Sequence, residues 1–337
     1  VQTFHRKRVE MKNLSAQPHF SLKATERSLM TRITADKIFK IFTAAMASSI
    51  LLILVAMVFE LYNQSKLSID AFGFSFLWGT VWDPAITQVF GALPLIYGTI
   101  VTSLLALLFG VPLSLGTAIV LSELSPQRLK SPVSFIVELL AAIPSVIFGL
   151  WGIFTLAPFL RDNVYPALQA ALGFLPIFQG PIYGLGVLTG GIVLAIMIIP
   201  TVSAVSRDVL AAVPDSQREA ALALGATKWE ATMTVMSYGR SGIIGSIILG
   251  LGRAVGETMA ITMVIGNRFD TFTSLFEPGY TMAALIANEF TEATTDLYLS
   301  AIIEVGLILF LVAMAINVLA RFIVWRSLRM VRGAVLE

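Results

Sequence analysis

Six stretches of the chain stay apolar for about 20 residues or more, the length a helix needs to cross a bilayer. They run roughly 41–62, 95–121, 132–159, 184–205, 241–266 and 299–325. Polar residues gather between them in short segments and in one long one, 206–240. This pattern predicts an all-α integral membrane fold with six transmembrane helices. It divides the chain into a basic tail, 1–40, a six-helix domain, 41–326, and a second tail, 327–337. Some forty polar residues precede the first span and no small-residue cleavage site follows it, so that span is read as retained rather than as a signal peptide.

Several spans carry proline or closely spaced glycine: Pro112, Pro144, Pro158 and Pro200, with Gly186 and Gly190, and Gly252 and Gly256. Small residues four apart let helix backbones approach, and proline kinks are tolerated where neighbours satisfy the freed carbonyl. Ordinary packing is the expected role of all of these except the Gly252/Gly256 pair, which brackets charged residues. The outer loops hold apolar runs such as Phe72 to Trp78, for which amphipathic packing is the expected role.

Composition removes most other classes. Lys and Arg number 23 and Asp and Glu 21, together 13% of the chain, against 56% apolar residues and a mean hydropathy of +0.83. A soluble domain carries about 25% charged residues. A soluble enzyme, a disordered chain and a nucleic-acid-binding domain are excluded. The absence of cysteine excludes disulfides and thiolate chemistry, and the two histidines, His5 and His19, lie in the polar tail. No catalytic residue and no metal site are expected. None of the eight lysines follows a glycine, so the chain has no phosphate-binding P-loop, and energy has to come from a partner.

The positive charges set the expected orientation. Nine Lys or Arg lie in the first tail, and others in the 122–131 loop (Arg128, Lys130), the 206–240 loop and the C-terminal end (Arg321, Arg326, Arg329, Arg332), nineteen in all. The alternate loops hold only Lys66, Arg161 and Arg268. By the positive-inside rule both termini are cytoplasmic. The basic first tail reads as an anchor to anionic lipid.

In the long loop, Ser216 and Glu219 form an S/T-x-x-E pair that predicts a helix start. Gly225 is placed to end that helix in a left-handed conformation, and Thr227 with Glu230 opens another. Two short helices with a sharp bend are expected. The first carries a flat alanine face at Ala220, Ala221 and Ala223, suited to a groove on another protein.

Four charges fall well inside the spans: Glu138, Arg253, Glu257 and Glu304. Such residues are costly in a bilayer and usually face the bundle interior with a partner. Arg253 and Glu257, four apart, are expected on one helix face, with Glu138 and Glu304 as candidates to approach it. A structural ion pair and a polar station on a substrate path both fit these residues; arginine's planar fork suits phosphate oxygens.

Glu219-Ala220-Ala221 with Gly225 resembles the EAA loop of ATP-binding-cassette importer permeases. Where that pattern continues to Ile-x-Leu-Pro, this chain has Val235-Met236-Ser237-Tyr238, without the proline. The segment Gly250-Leu251-Gly252-Arg253-Ala254-Val255-Gly256-Glu257-Thr258-Met259-Ala260 resembles span five of the Pst phosphate importer permeases, the PstC type in particular. Ile143 to Leu150, Val264 to Asn267 and Ala284 to Phe290 are similar to the same family. The resemblance implies a type I ABC importer permease (MetI-like) fold in the bacterial cytoplasmic membrane. It implies no activity of the chain's own as an enzyme: two PstB-type subunits use ATP and magnesium. The other implied partners are a second permease of PstA type, a PstS-type binding protein and a PhoU-type regulator. By position, Arg253 and Glu257 match charges implicated in phosphate passage, and Glu219 to Gly225 matches the coupling loop. A membrane scaffold in phosphate signalling, and the same importer class for sulfate or molybdate, stand as alternatives.

Overall fold

The computed structural model describes residues 22–334. The first twenty-one residues, over half of the expected basic tail, and the last three lie outside the described residues. The chain divides into two compact units, residues 1–60 and 61–337. Helix α1, Leu22–Gln64, makes up the described part of the first unit and crosses into the second at its end. Its stretch Asp36–Gln64 is long and apolar enough to cross a membrane.

The second unit begins with two short helices, α2 (Lys66–Phe72) and α3 (Ser75–Trp78). A small antiparallel hairpin follows, β1 (Trp82–Asp83) and β2 (Val89–Phe90), in register Trp82 to Phe90 and Asp83 to Val89. The sequence pattern gave no sign of these strands, which are only two residues each. Asp83 builds the turn by accepting the backbone N–H groups of Ala85, Ile86 and Thr87. Those bonds, from Thr87 first, hold its carboxyl below the ordinary aspartate range. The expected amphipathic packing of the 72–78 run is present: Phe76 is fully buried while Phe74 and Trp78 are exposed. Phe76, Trp82, Phe90 and Tyr298 form one aromatic group, with Trp82 and Phe90 edge to face at 4.9 Å.

Helix α4, Leu93–Ile119, continues through a wide π-helical turn, Val120–Leu124, into one rod. Pro112 is accommodated inside it. The third expected span, 132–159, is corrected. Helix α5, Gln127–Ala142, ends at Ile143 and Pro144, whose backbones are extended (ψ 127° and 139°). Proline lacks the N–H that would continue the helix and disfavours a helical residue before it. The apolar helix that can cross is α6, Ser145–Leu172, which includes two π-helical turns.

Helix α7, Val187–Ala211, is the centre of the bundle, and Val193, Ile198 and Val202 on it are fully buried. Helices in a bilayer gain little from burying apolar surface against one another, so association depends on close packing. The α4–α7 interface shows this: Gly110 lies under Ile198 and Gly191 under Leu105, where an added Cβ would meet side-chain carbon at 2.8 and 2.6 Å. Gly186 and Gly190 also pack tightly, against Glu277 and Ile261.

Helix α8, Asp215–Ala223, leads to α9, Lys228–Gly256, and then to α10, Met259–Val264. The fifth expected span therefore differs. Its helix begins earlier, in the long loop, and breaks at Glu257 and Thr258. It is 29 residues long but carries Lys228, Glu230, Arg240 and Arg253. Five other helices among the described residues are long and apolar enough to cross. Helix α11, Met282–Glu289, and helix α12, Asp296–Ala334, complete the chain.

Candidate functional site: a polar helix break and an exposed loop helix

Arg253 sits in the last turn of α9, half-buried. Its Nη1 donates to Thr201 Oγ1 on α7 at 3.1 Å. Among the described residues no ion pair involves it. The backbone up to Glu257 keeps the expected four-residue relation of Arg253 and Glu257. The helix stops at Gly256; Glu257 keeps a helical φ of −68°, while its ψ of 127° turns the chain that follows it away from the α9 axis. The Glu257 side chain turns forward: its Oε1 accepts the N–H of Ala260 at 3.4 Å, capping α10. Thr258 Oγ1 donates to the Gly256 carbonyl at 3.2 Å. The result is a backbone break flanked by a guanidinium, a carboxylate and two threonine hydroxyls. Beside Gly252 and Gly256 a Cβ would meet nothing within 4 Å, so the break borders open space.

This arrangement can bind an oxyanion. Arginine presents five donors in a planar fork, and one is directed at Thr201. A guanidinium with no carboxylate against it is available for two parallel bonds to a tetrahedral anion.

Glu138 and Glu304 are not brought to this place. Glu138 on α5 pairs with Arg207 on α7 at 3.2 Å, and Arg207 also meets Asp208 at 3.0 Å. Glu304 on α12 is 7% exposed and faces Ser68 on α2, with its Oε2 free of any hydrogen bond. Neither carboxylate is within hydrogen-bonding or ion-pair reach of Arg253 or Glu257.

The loop helix α8 starts at Asp215, one residue before the expected cap. Its N-cap position is Pro214, extended (ψ 136°), with no side-chain cap bond, so the Ser216–Glu219 box does not form. Proline at the cap already fixes the entry backbone, which leaves Ser216 inside the first turn. The end of the helix follows expectation. Gly225 is left-handed (φ +85°), with Gly225 N–H bonded to Leu222 and Ala226 N–H to Ala221, the two bonds of a Schellman motif. Thr227 and Glu230 then form a reciprocal capping box, which opens α9. Thr227 donors hold the Glu230 carboxyl below its ordinary range. The second short helix of the sequence reading is thus the first turns of a long one, and with no proline at 238 it runs unbroken through Val235–Tyr238.

No residue of α8 is buried. Glu219 and Ala220 are exposed and Ala221 is half-buried. Around them Leu224 is 90% exposed, with Leu222 and Trp229 about half exposed. An exposed helix with apolar residues held by caps at both sides of the bend is a surface built for contact. Sequence reasoning missed one side chain here, Arg218, which bonds Glu123 of the π-helical turn at 2.8 and 2.9 Å. The Glu123 carboxylate raises its pKa above the ordinary arginine value. Its neighbour Glu219 carried the motif, and the partner lies 95 positions away.

At the other end of α4, Tyr280 and Tyr298 both donate to Glu289, and Asn288 donates to the Tyr280 hydroxyl at 2.8 Å. Burial raises the Tyr280 hydroxyl pKa above the ordinary tyrosine range.

Residues 110–329 match the family described as binding-protein-dependent transport system inner membrane component. The chain belongs to that family, a class of multi-pass permeases embedded in a membrane. Within it, curated relatives of this chain include PstC permeases. The phosphate transport system permease protein PstC of Mesorhizobium japonicum is 47% identical over 296 residues, 86% of this chain and 90% of that protein. PstC of Xylella fastidiosa is 45% identical over 300 residues, covering 88% and 92%. A probable PstC of the archaeon Methanocaldococcus jannaschii is 36% identical over 297 residues, covering 86% and 94%. Among solved structures, a chain of the MetNI methionine ABC transporter in an inward-facing conformation covers 73% of this chain and 99% of its own, with a TM-score of 0.51 and 16% identity. At that identity the likeness speaks for the fold alone, the MetI-like permease fold.

Proposed function

We propose that this chain is the PstC-type permease subunit of an ATP-driven importer that carries inorganic phosphate across the bacterial inner membrane. The observation that carries the substrate is the 44–47% identity to five PstC proteins along most of the chain. Arg253 at the open helix break supplies chemistry to match, a guanidinium unopposed by carboxylate among the described residues. Glu257 beside it is an acceptor for the proton of a monohydrogen or dihydrogen phosphate. Both residues belong to the passage route. Glu138, by its pair with Arg207, acts in holding helices instead, and Glu304 lies buried on α12 away from this break.

In this reading the chain hydrolyses nothing. Two PstB-type ATPase subunits take up ATP and magnesium and grip α8 through Leu222, Leu224 and the Glu219–Ala221 face. A PstA-type permease completes the pathway, a PstS-type binding protein delivers phosphate from outside, and a PhoU-type regulator reads the assembly. Both termini are cytoplasmic. ATP binding draws the coupling helices together and rocks the permeases between inward- and outward-facing states. Proteoliposomes containing the whole transporter test this: Arg253→Gln abolishes uptake while the complex still assembles. Normal uptake in that variant, or sulfate competing as well as phosphate, would overturn the reading.

A further inference from the structure

All five N–H donors of the Arg218 guanidinium are engaged. Nε and Nη2 donate to the two oxygens of Glu123 at 2.9 and 2.8 Å, a two-pronged fork. Nη2 also donates to the Leu210 carbonyl at 3.0 Å, and Nη1 to the Val213 carbonyl and Asp215 Oδ1, each at 2.9 Å. One side chain of α8 therefore holds the last turn of α7 and the π-helical turn that ends the α4 rod. Glu123 is almost enclosed, its side chain 8% exposed against 22% for Arg218. An enclosed bidentate pair resists rotation as well as separation, and losing one partner strands a charge. Among the described residues, Arg218 is the α8 side chain seen bonded to both α7 and the π-helical turn.

The far end of the same rod is tied as firmly. Thr99 Oγ1 accepts the N–H of Met282 at 3.0 Å, and at Gly98 the Tyr280 backbone comes so close that an added Cβ would lie 2.0 Å from its carbonyl oxygen. Tyr280 in turn donates to Glu289, the last residue of α11. Between the two ties α4 packs along α7 through Gly110 and Gly191, which leaves little room for the rod to bend independently.

We infer that Arg218 and Glu123 are positioning residues that make α4 a lever: movement of α8 passes through the fork into the rod and reaches the 280–289 segment at its other end. The inference rests on α8 being the helix an ATPase moves. It adds α4 to the two helices, α7 and α9, that flank α8 in the chain.

The test uses the complete transporter in proteoliposomes, with loaded binding protein outside, and reads three quantities: ATPase content of the purified complex, ATP hydrolysed, and phosphate moved per ATP. Glu123→Gln keeps the shape of the acid but removes the charge. Arg218→Lys keeps the charge but removes the fork, and it serves as the second variant should the first fail to fold. The expected result in either is a normal ATPase content, continuing hydrolysis, and phosphate moved per ATP down about tenfold, an ordinary size for a coupling between sites. Asp162→Asn, in an exposed pair on α6, keeps the wild-type ratio. A wild-type ratio in both fork variants, or a loss of ATPase subunits from the complex, overturns the lever. Leu224→Asp tests the reading underneath. If that variant keeps its ATPase subunits and full uptake, α8 is not the coupling helix, whatever the fork variants do.

Discussion

At the residue scale, the guanidinium of Arg253 decides most. Its geometry at the α9 break gives it one neutral partner, Thr201, and leaves the rest of its fork directed elsewhere. Lysine at this position would keep the charge and lose the parallel bonds. Arg253→Lys is expected to reduce phosphate uptake at least tenfold, the loss of a charge-assisted hydrogen bond worth about 1.5–3 kcal/mol, with assembly unchanged. Uptake assays in proteoliposomes measure it, and full activity would show that a point charge suffices. Thr201→Val probes the same place more gently. It removes the hydroxyl that orients Arg253, and a raised KM for transport with little change in maximal rate is the expected outcome.

At the element scale, the bend between α8 and α9 shows how local chemistry builds a contact surface. Gly225 holds φ at +85°, where an L side chain costs about 1–2 kcal/mol. Gly225→Ala should lower the melting temperature of the purified complex and loosen ATPase attachment, whereas Gly225→Asn should do so less, since asparagine tolerates this region. The capping box adds a second hold, and Thr227→Ala is expected to cost about 1 kcal/mol of helix stability, read by thermal unfolding. The box is also pH dependent. The folded pKa of Glu230 is lowered by its Thr227 donors. Its contribution is therefore complete above the ordinary glutamate pKa and lost as pH falls through the lowered value. The difference in melting temperature between wild type and Glu230→Gln should close over that acid range and stay constant at neutral pH.

At the scale of the whole molecule, packing by small residues carries the bundle. Gly98 is a critical point, because the Tyr280 carbonyl fills the place of its missing Cβ. Gly98→Val is expected to separate α4 from the 280–289 segment and to sharply reduce the yield of monodisperse protein in size-exclusion chromatography. A well-behaved variant with normal transport would show that the contact is dispensable.

Much of this architecture was legible in the order of residues. Runs of apolar residues marked the membrane crossings, and the Thr227–Glu230 box and Gly225 marked the bend, because hydropathy and capping depend on neighbours a few positions away. Resemblance at Glu219–Gly225 and around Arg253 pointed to the family the whole-chain comparisons support. Tertiary structure alone decided where apolar runs break. A straight-helix reading of 132–159 missed the end at Ile143–Pro144, and one of 241–266 missed the break after Glu257. It also decided the partners of charges: Glu138 with Arg207, Glu123 with Arg218, and Arg253 with Thr201. Those pairs join positions tens of residues apart, and no local pattern specifies them. They follow from which helix faces meet once small residues let backbones approach, and that is settled by packing the whole chain.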